Sequence, residues 1–156
     1  MKIGIILFSQ TGNTLSVGKK LQENFASAGH NVELESLKVS GELRPAGKNI
    51  QFKTLPDIEE YDVLVFGSPV WAFSLSSPMS KYLSQIASLQ GKKVALMATQ
   101  QFPFPWLGGN HAINQMKKLC EEKGASVSVS GIINWGKSNR EQQIVEVVNK
   151  LSTVLS

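Results

Sequence analysis

The chain has one cysteine, Cys120, among 156 residues. An internal disulfide is therefore excluded, and the composition suits a reducing compartment. Histidine is nearly as scarce, with His30 and His111 alone. No cluster of His, Cys, Asp or Glu has metal-ligand spacing, so no metal site is expected. No apolar run approaches membrane-spanning length. The N-terminus reads as strand from residue 3 and lacks a signal-peptide pattern. A cytoplasmic protein without membrane association is the expectation. Two nucleotide signatures are missing as well. GxxxxGK followed by Ser or Thr is absent, which excludes a triphosphatase loop, and GxGxxG is absent, which removes the dinucleotide fingerprint.

Charge is not lacking but is uneven. The net charge is +4. Residues 1–78 hold seven Lys/Arg against eight Asp/Glu, and residues 79–156 hold nine against four. The basic pairs Lys92-Lys93 and Lys117-Lys118 fall at a strand start and on a helix, too sparse for a nucleic-acid footprint. A solvated surface is the favoured reading, and an acidic partner the alternative. The length fits a single domain, residues 1–156, with one sizeable core.

What is present begins at Ser9-Gln10-Thr11-Gly12-Asn13-Thr14. An apolar run enters this stretch, and a helical pattern (Leu15, Gly18, Leu21, Phe25, Ala28) leaves it. The opening N–H groups of a helix lack intrahelical partners and carry partial positive charge, which favours an anion. Three hydroxyls and one amide add donors, and Gly12 admits close approach. The stretch reads as a phosphate cradle, weighed against an ordinary strand-to-helix turn with a polar cap.

Strands and helices alternate through the remainder. Strands are expected at Lys2–Phe8, Asn31–Leu37, Asp62–Ser68, Lys93–Thr99 and Ser126–Asn134. Helices are expected from Asn13 to a stop at Gly29, from Ser77 as cap through the stripe Met79–Leu89, over Asn110–Lys123, and after a capping box Ser138-x-x-Glu141 with a stripe to Leu155. Residues 38–56, with Gly41, Pro45 and Gly47, read as loop, followed by a short helix near Pro56–Glu60. The alternation implies an α/β three-layer sandwich around a five-stranded parallel sheet. The first, third and fourth strands are continuous apolar runs, as buried strands are. The second and fifth alternate, as edges do. Order 2-1-3-4-5 follows, with a ligand crevice at the carboxyl ends between strands one and three.

Two more loops reach that end: Ser68-Pro69-Val70-Trp71-Ala72-Phe73-Ser74, and Gln100-Gln101-Phe102-Pro103-Phe104-Pro105-Trp106. Five large aromatics beside a phosphate cradle read as walls for a flat ring, against packing beneath the loops as the alternative. Pro69, Pro103 and Pro105 would stiffen those walls. Cys120 sits mid-stripe on its helix and reads as a small buried hydrophobe. His111 reads as solvent-facing. The carboxylates Asp57, Glu59, Glu60 and Asp62 read as solvated.

Over nearly its whole length the chain resembles a short flavodoxin. S-x-T-G-N-T resembles that family's FMN phosphate loop, and Gly67-Ser68-Pro69-Val70-Trp71 its loop after the third strand. The resemblance implies that Ser9, Gln10, Thr11, Gly12, Asn13 and Thr14 hold the phosphate of FMN. It implies that Ser68, Pro69, Val70, Trp71, Ala72 and Phe73, with Thr99, Gln100, Gln101, Phe102 and Phe104, hold the ring. Electron transfer between redox partner proteins is the implied function. A reductase that uses NAD(P)H and a small-molecule acceptor such as a quinone is the alternative, and a flavin-free binding module the third. The chain departs from the family in three ways. It is basic. It has no Gly between Gly67 and Gly91, where the family often bends and turns a peptide on reduction, so a left-handed bend at Ala72 would cost about 1–2 kcal/mol. Its fourth-strand loop carries Pro and aromatics rather than acidic residues and Gly.

Overall fold

The computed structural model describes residues 1–44, 49–104 and 106–155. The expectations for Pro45, Gly47 and Pro105 lie outside the described residues.

Five parallel strands form the centre: β1 (Lys2–Leu7), β2 (Asn31–Ser36), β5 (Val63–Trp71), β7 (Lys93–Gln100) and β8 (Ser126–Asn134). Their order is β2-β1-β5-β7-β8, the predicted one. Alternate residues of β5 go to opposite faces. Val63 and Val65 pack with α1 (Asn13–Ser27) and α4 (Arg140–Leu151), through Val17, Leu21, Phe25, Ile144 and Leu151. Leu64 and Phe66 pack with α2 (Ser77–Gln85) and α3 (Gly109–Glu122), through Met79, Leu83, Met116 and Cys120. Burial on both faces is why this strand reads as an unbroken apolar run. At the edge strand β2, Val32 and Leu34 join the α1 face. On the other face of β2, Glu33 and Glu35 flank the Tyr61 hydroxyl at 2.7 and 2.8 Å.

Several local expectations are corrected. Residues 38–56 are not all loop: β3 (Lys38–Ser40) and β4 (Gln51–Thr54) pair antiparallel. The helix near Pro56–Glu60 does not form. The Asp57 carboxylate takes the Glu59 N–H, an Asx turn that competes with helix, and Tyr61 N–H reaches Ile58 O. The α2 helix ends at Gln85, not Leu89. Ile86 is extended, and Leu89 is buried on a segment whose N–H bonds Lys123 O instead of a helical carbonyl. Its N-cap is Ser76, one residue before the expected Ser77. At α4 the N-cap is Asn139 rather than Ser138, and a 3₁₀ turn over Ser152–Leu155 follows the helix. The predicted stop of α1 holds: Gly29 has φ 90° and donates to Ala26 O.

β5 also runs three residues past its expected end. It turns back into β6 (Ser74–Leu75), with Val70 opposite Leu75 and Trp71 opposite Ser74.

Candidate functional site

β1 delivers the chain to the switch point between β1 and β5, where Phe8 N–H still bonds Gly67 O. Gly12 then turns left-handed with φ 93° and serves as N-cap of α1. A Cβ there would meet nothing within 4 Å, so the requirement for glycine is one of backbone torsion and the helix end stays open. The Ser9 hydroxyl accepts from the N–H groups of Gly12 and Leu15, at 3.2 Å each, and holds the loop down. The N–H groups of Asn13 and Thr14 remain. They lie in the first turn, where no carbonyl stands one turn back, and no side chain among the described residues caps them. Gln10 and Thr11 are exposed, and Asn13 is half-buried. Thr14 points inward: it is 1 % exposed, and its hydroxyl lies 2.9 Å from that of Thr99. Gly67 makes room for it, since a Cβ on Gly67 would lie 3.2 Å from Thr14 Cγ2.

The second loop is a tight hairpin. Ala72 and Phe73 form its tip, with φ of 47° and 66°. Positive φ at both central residues matches the twist of two antiparallel strands and is usually met by Asn or Gly. Here Ala and Phe are forced into it. Strain of this kind persists only where the surroundings over-determine it, and they do so here. Gln115 Oε1, on α3, accepts from Leu75 N–H and from the Ser74 hydroxyl, at 2.8 and 2.9 Å. Buried Ser68 and Ser76 hydroxyls lie 2.6 Å apart at the base. Gly108 lets the hairpin rest on the entry to α3, where a Cβ would lie 2.7 Å from Phe73 Cα and 2.8 Å from Val70 Cγ1.

A buried amide organises the third loop. Gln100 Nε2 lies 2.6 Å from both Phe104 O and Asn134 Oδ1, and 3.2 Å from Phe102 O. Its Oε1 is buried and has no partner among the described residues. Asn134 is held in turn by Gln143 Oε1, which accepts its backbone and side-chain N–H groups. Trp135 N–H bonds Gln100 O at 2.6 Å.

These contacts sort the expected ring-binding residues into two groups. Ser68, Thr99 and Gln100 are buried; Ser68 and Gln100 bond backbone carbonyls, and Thr99 meets the Thr14 hydroxyl. Pro69, Val70 and Trp71 are half-buried, and Ala72, Phe73, Gln101, Phe102 and Phe104 are exposed. The two aromatic loops meet: Phe73 stacks on Phe102 with centroids 5.1 Å apart and planes 12° apart. Phe104 stacks on Trp106 at 5.3 Å and 4°, with Lys137 Nζ 5.7 Å from the Phe104 centroid. Trp71 instead packs edge-on against Phe8, at 5.4 Å and 87°. One end of the sheet thus carries an open helix N-terminus beside exposed, paired aromatic faces. Such a surface can accept an anion and a flat ring together.

Sequence reasoning missed Ser76, Gln115, Asn134 and Gln143, which support the loops from other elements. It also missed two cations. Lys38 and Lys53, on the β3–β4 hairpin, line a depression of about 350 Å³ together with Ser9 and Gln10. The other groups weighed do not contribute to these contacts. Cys120 is fully buried, and burial pushes its thiol up to about 12. His111 is exposed at the start of α3. Glu60 and Asp62 are engaged by Lys2, Glu60 through the side-chain ammonium at 2.6 Å and Asp62 through the backbone N–H at 3.0 Å.

No family model matches the chain, and no curated protein matches it. Solved structures do. A flavodoxin from the domain Archaea superposes with a TM-score of 0.68 at 15 % identity, covering 100 % of both chains. The two-electron reduced flavodoxin of Megasphaera elsdenii gives 0.67 at 22 % identity, over 95 % of this chain and 98 % of that one. A flavoprotein of Lactobacillus acidophilus NCFM, solved in complex with FMN, gives 0.66 at 18 % identity, over 94 % and 97 %. At such identities the likeness is one of fold: the chain has the flavodoxin-like fold, a central parallel sheet with four helices.

Proposed function

We propose that this chain, built on the flavodoxin-like fold, is a redox protein that binds FMN at the carboxyl ends of β1, β5 and β7. The observation that carries the reading is the open N-terminus of α1 at Gly12, with the Asn13 and Thr14 N–H groups uncapped, beside two convergent aromatic loops. Ser9, Gln10, Thr11, Gly12, Asn13 and Thr14 would hold the phosphate, chiefly through the uncapped backbone N–H groups and the exposed Thr11 hydroxyl, while the Thr14 hydroxyl stays on Thr99 and that of Ser9 on the loop. The residues around Trp71, Phe73, Phe102 and Phe104 would cover the ring and exclude water from its faces. Ser68 and Gln100 would act through the backbone they fix, and Thr99 through Thr14. When bound, FMN supplies reversible electron uptake at its ring system. Partner redox proteins would meet the exposed aromatic edge, where Lys137 adds positive charge for an acidic surface.

A second reading rests on the same aromatics. Phe73, Phe102, Phe104 and Trp106 are 45–69 % exposed, an unusual display for a soluble chain. A flat small-molecule acceptor could stack there, which would make the protein an FMN-dependent reductase. Absorbance of the purified protein tests flavin binding, and NADPH turnover with a quinone then separates reductase from carrier. The cradle itself is tested by Thr11→Ala. A charge-assisted bond to phosphate contributes roughly 1.5–3 kcal/mol, so FMN should weaken about tenfold or more while riboflavin, without phosphate, changes little. Equal losses for both ligands would show that Thr11 does not face the phosphate.

A further inference from the structure

The depression beside the phosphate loop is not part of the FMN reading. Its lining combines apolar Phe8, Leu37, Val39 and Leu43 with polar Ser9, Gln10, Lys38 and Lys53. Its volume of about 350 Å³ falls in the range of small-molecule sites, roughly 300–1,000 Å³. Among the described residues neither the Lys38 nor the Lys53 ammonium has a hydrogen bond or ion pair. The nearby carboxylates are engaged elsewhere. Glu35 lies beside the Tyr61 hydroxyl, and Glu42 pairs with Arg44 at 3.3 Å. Two ammoniums without a partner among the described residues, beside apolar lining, match a phosphate joined to a flat apolar base.

Topology says what such a group would be attached to. The sheet order β2-β1-β5-β7 sets the phosphate loop, after β1, between two neighbours. On the β5–β7 side stand the aromatic loops. On the β2 side stands the β3–β4 hairpin, which follows β2 in the chain. Gln10 joins the two, its Nε2 donating to Leu43 O at 3.2 Å. A flavin whose ring lies toward Phe102 and whose phosphate lies on α1 therefore has its far end directed at the depression.

We propose that the depression takes an adenosine 5′-phosphate group, so that this chain accepts flavin adenine dinucleotide, its pyrophosphate spanning the α1 N-terminus and the Lys38–Lys53 pair. The proposal rests on the flavin reading, but the pocket can be tested without it. Calorimetric titration of the whole protein with FMN, FAD and 5′-AMP is the experiment, repeated on Lys38→Ala/Lys53→Ala and on Lys53→Glu. Both lysines are exposed, so both variants should fold, and circular dichroism checks it. FAD should bind about tenfold or more tightly than FMN, and the variants should erase that advantage while FMN affinity moves less than about twofold. FAD no tighter than FMN overturns the proposal. If AMP alone then binds and the variants abolish it, the pocket belongs to a free nucleotide. If neither flavin binds, the flavin reading fails, and lysine-dependent AMP binding supports the pocket, whereas no AMP binding overturns it.

Discussion

Ala72 and Phe73 hold left-handed torsions at the tip of the β5–β6 hairpin, so Ala72→Gly is expected to stabilise the protein. A left-handed L-residue costs about 1–2 kcal/mol relative to the right-handed region. Glycine removes that cost but adds conformational freedom to the unfolded chain, which returns about 0.5–1 kcal/mol. Ala72 is exposed, and none of its side-chain contacts enters the balance. A net gain of roughly 0.5–1 kcal/mol remains, which for a chain of this size is a rise in Tm of about 1–4 °C. Phe73→Gly relieves the same torsion but loses the stack on Phe102, where aromatic pairs contribute about 0.5–1.5 kcal/mol. That variant should come out near neutral. The reverse control is Gly91→Ala, since Gly91 has φ 79° with open space around its Cβ position, and any loss there is torsional. Thermal unfolding of the three variants by circular dichroism is the assay. A Tm unchanged or lowered by Ala72→Gly, with Gly91→Ala destabilising as expected, would refute stored strain at the hairpin tip.

Alkaline pH should expose a second set of groups. Burial raises the Cys120 thiol from its ordinary 9.0 to about 12, and raises the Tyr82 and Tyr61 hydroxyls above their ordinary 10.0, Tyr61 further through Glu33 and Glu35. The folded state keeps these protons longer than the unfolded state, so their contribution is full below pH 9 and is lost as pH rises toward the folded values. Urea unfolding should therefore be level up to about pH 9 and then weaken, with a limiting slope near 1.4 kcal/mol per pH unit for each group; a level profile to pH 11 would count against their burial. Gln100→Leu should release the loop after β7, because Phe104 O and Asn134 Oδ1 both lose a donor. It should cost about 1–3 kcal/mol and speed proteolysis between Phe102 and Leu107, whereas Gln101→Leu, at an exposed position, should do neither.

The parallel sheet was legible because its physics is local. A strand covered on both faces reads as an unbroken apolar run, as in Ile3–Leu7, Val63–Phe66 and Val94–Ala98; an edge strand alternates, and β2 does. With β2 and β8 at the edges, the observed order also keeps β1 beside β2 and β7 beside β8, as short connections favour. The α1 boundary was legible for the same reason, since Gly12 opens and Gly29 closes the helix through torsions that the residue type itself favours. The β3–β4 hairpin was not. Its strands are three and four residues long, too short for a period to emerge, and they exist because they pair with each other. Nor was the turn over Asp57–Tyr61, where a side-chain bond outcompetes a weak helical pattern.

By itself the sequence determined the turn from β1 into α1, the order of the sheet and the gathering of aromatics at its carboxyl end. Only tertiary structure decided how those residues are used. Thr14 lies in the motif, yet its hydroxyl meets Thr99, 85 positions away. Trp71 heads the aromatic loop, yet Phe8 takes its edge while Phe73 meets Phe102. Ala72 bends left-handed against its own preference, and Gln115, on another element, holds the returning strand of the turn through Ser74 and Leu75. Lys38 and Lys53 come to the β1–α1 loop from a hairpin that local sequence did not reveal. Each of these is a contact between distant segments. Its energy appears only after the chain has closed around it, so no window of neighbouring residues carries its signal.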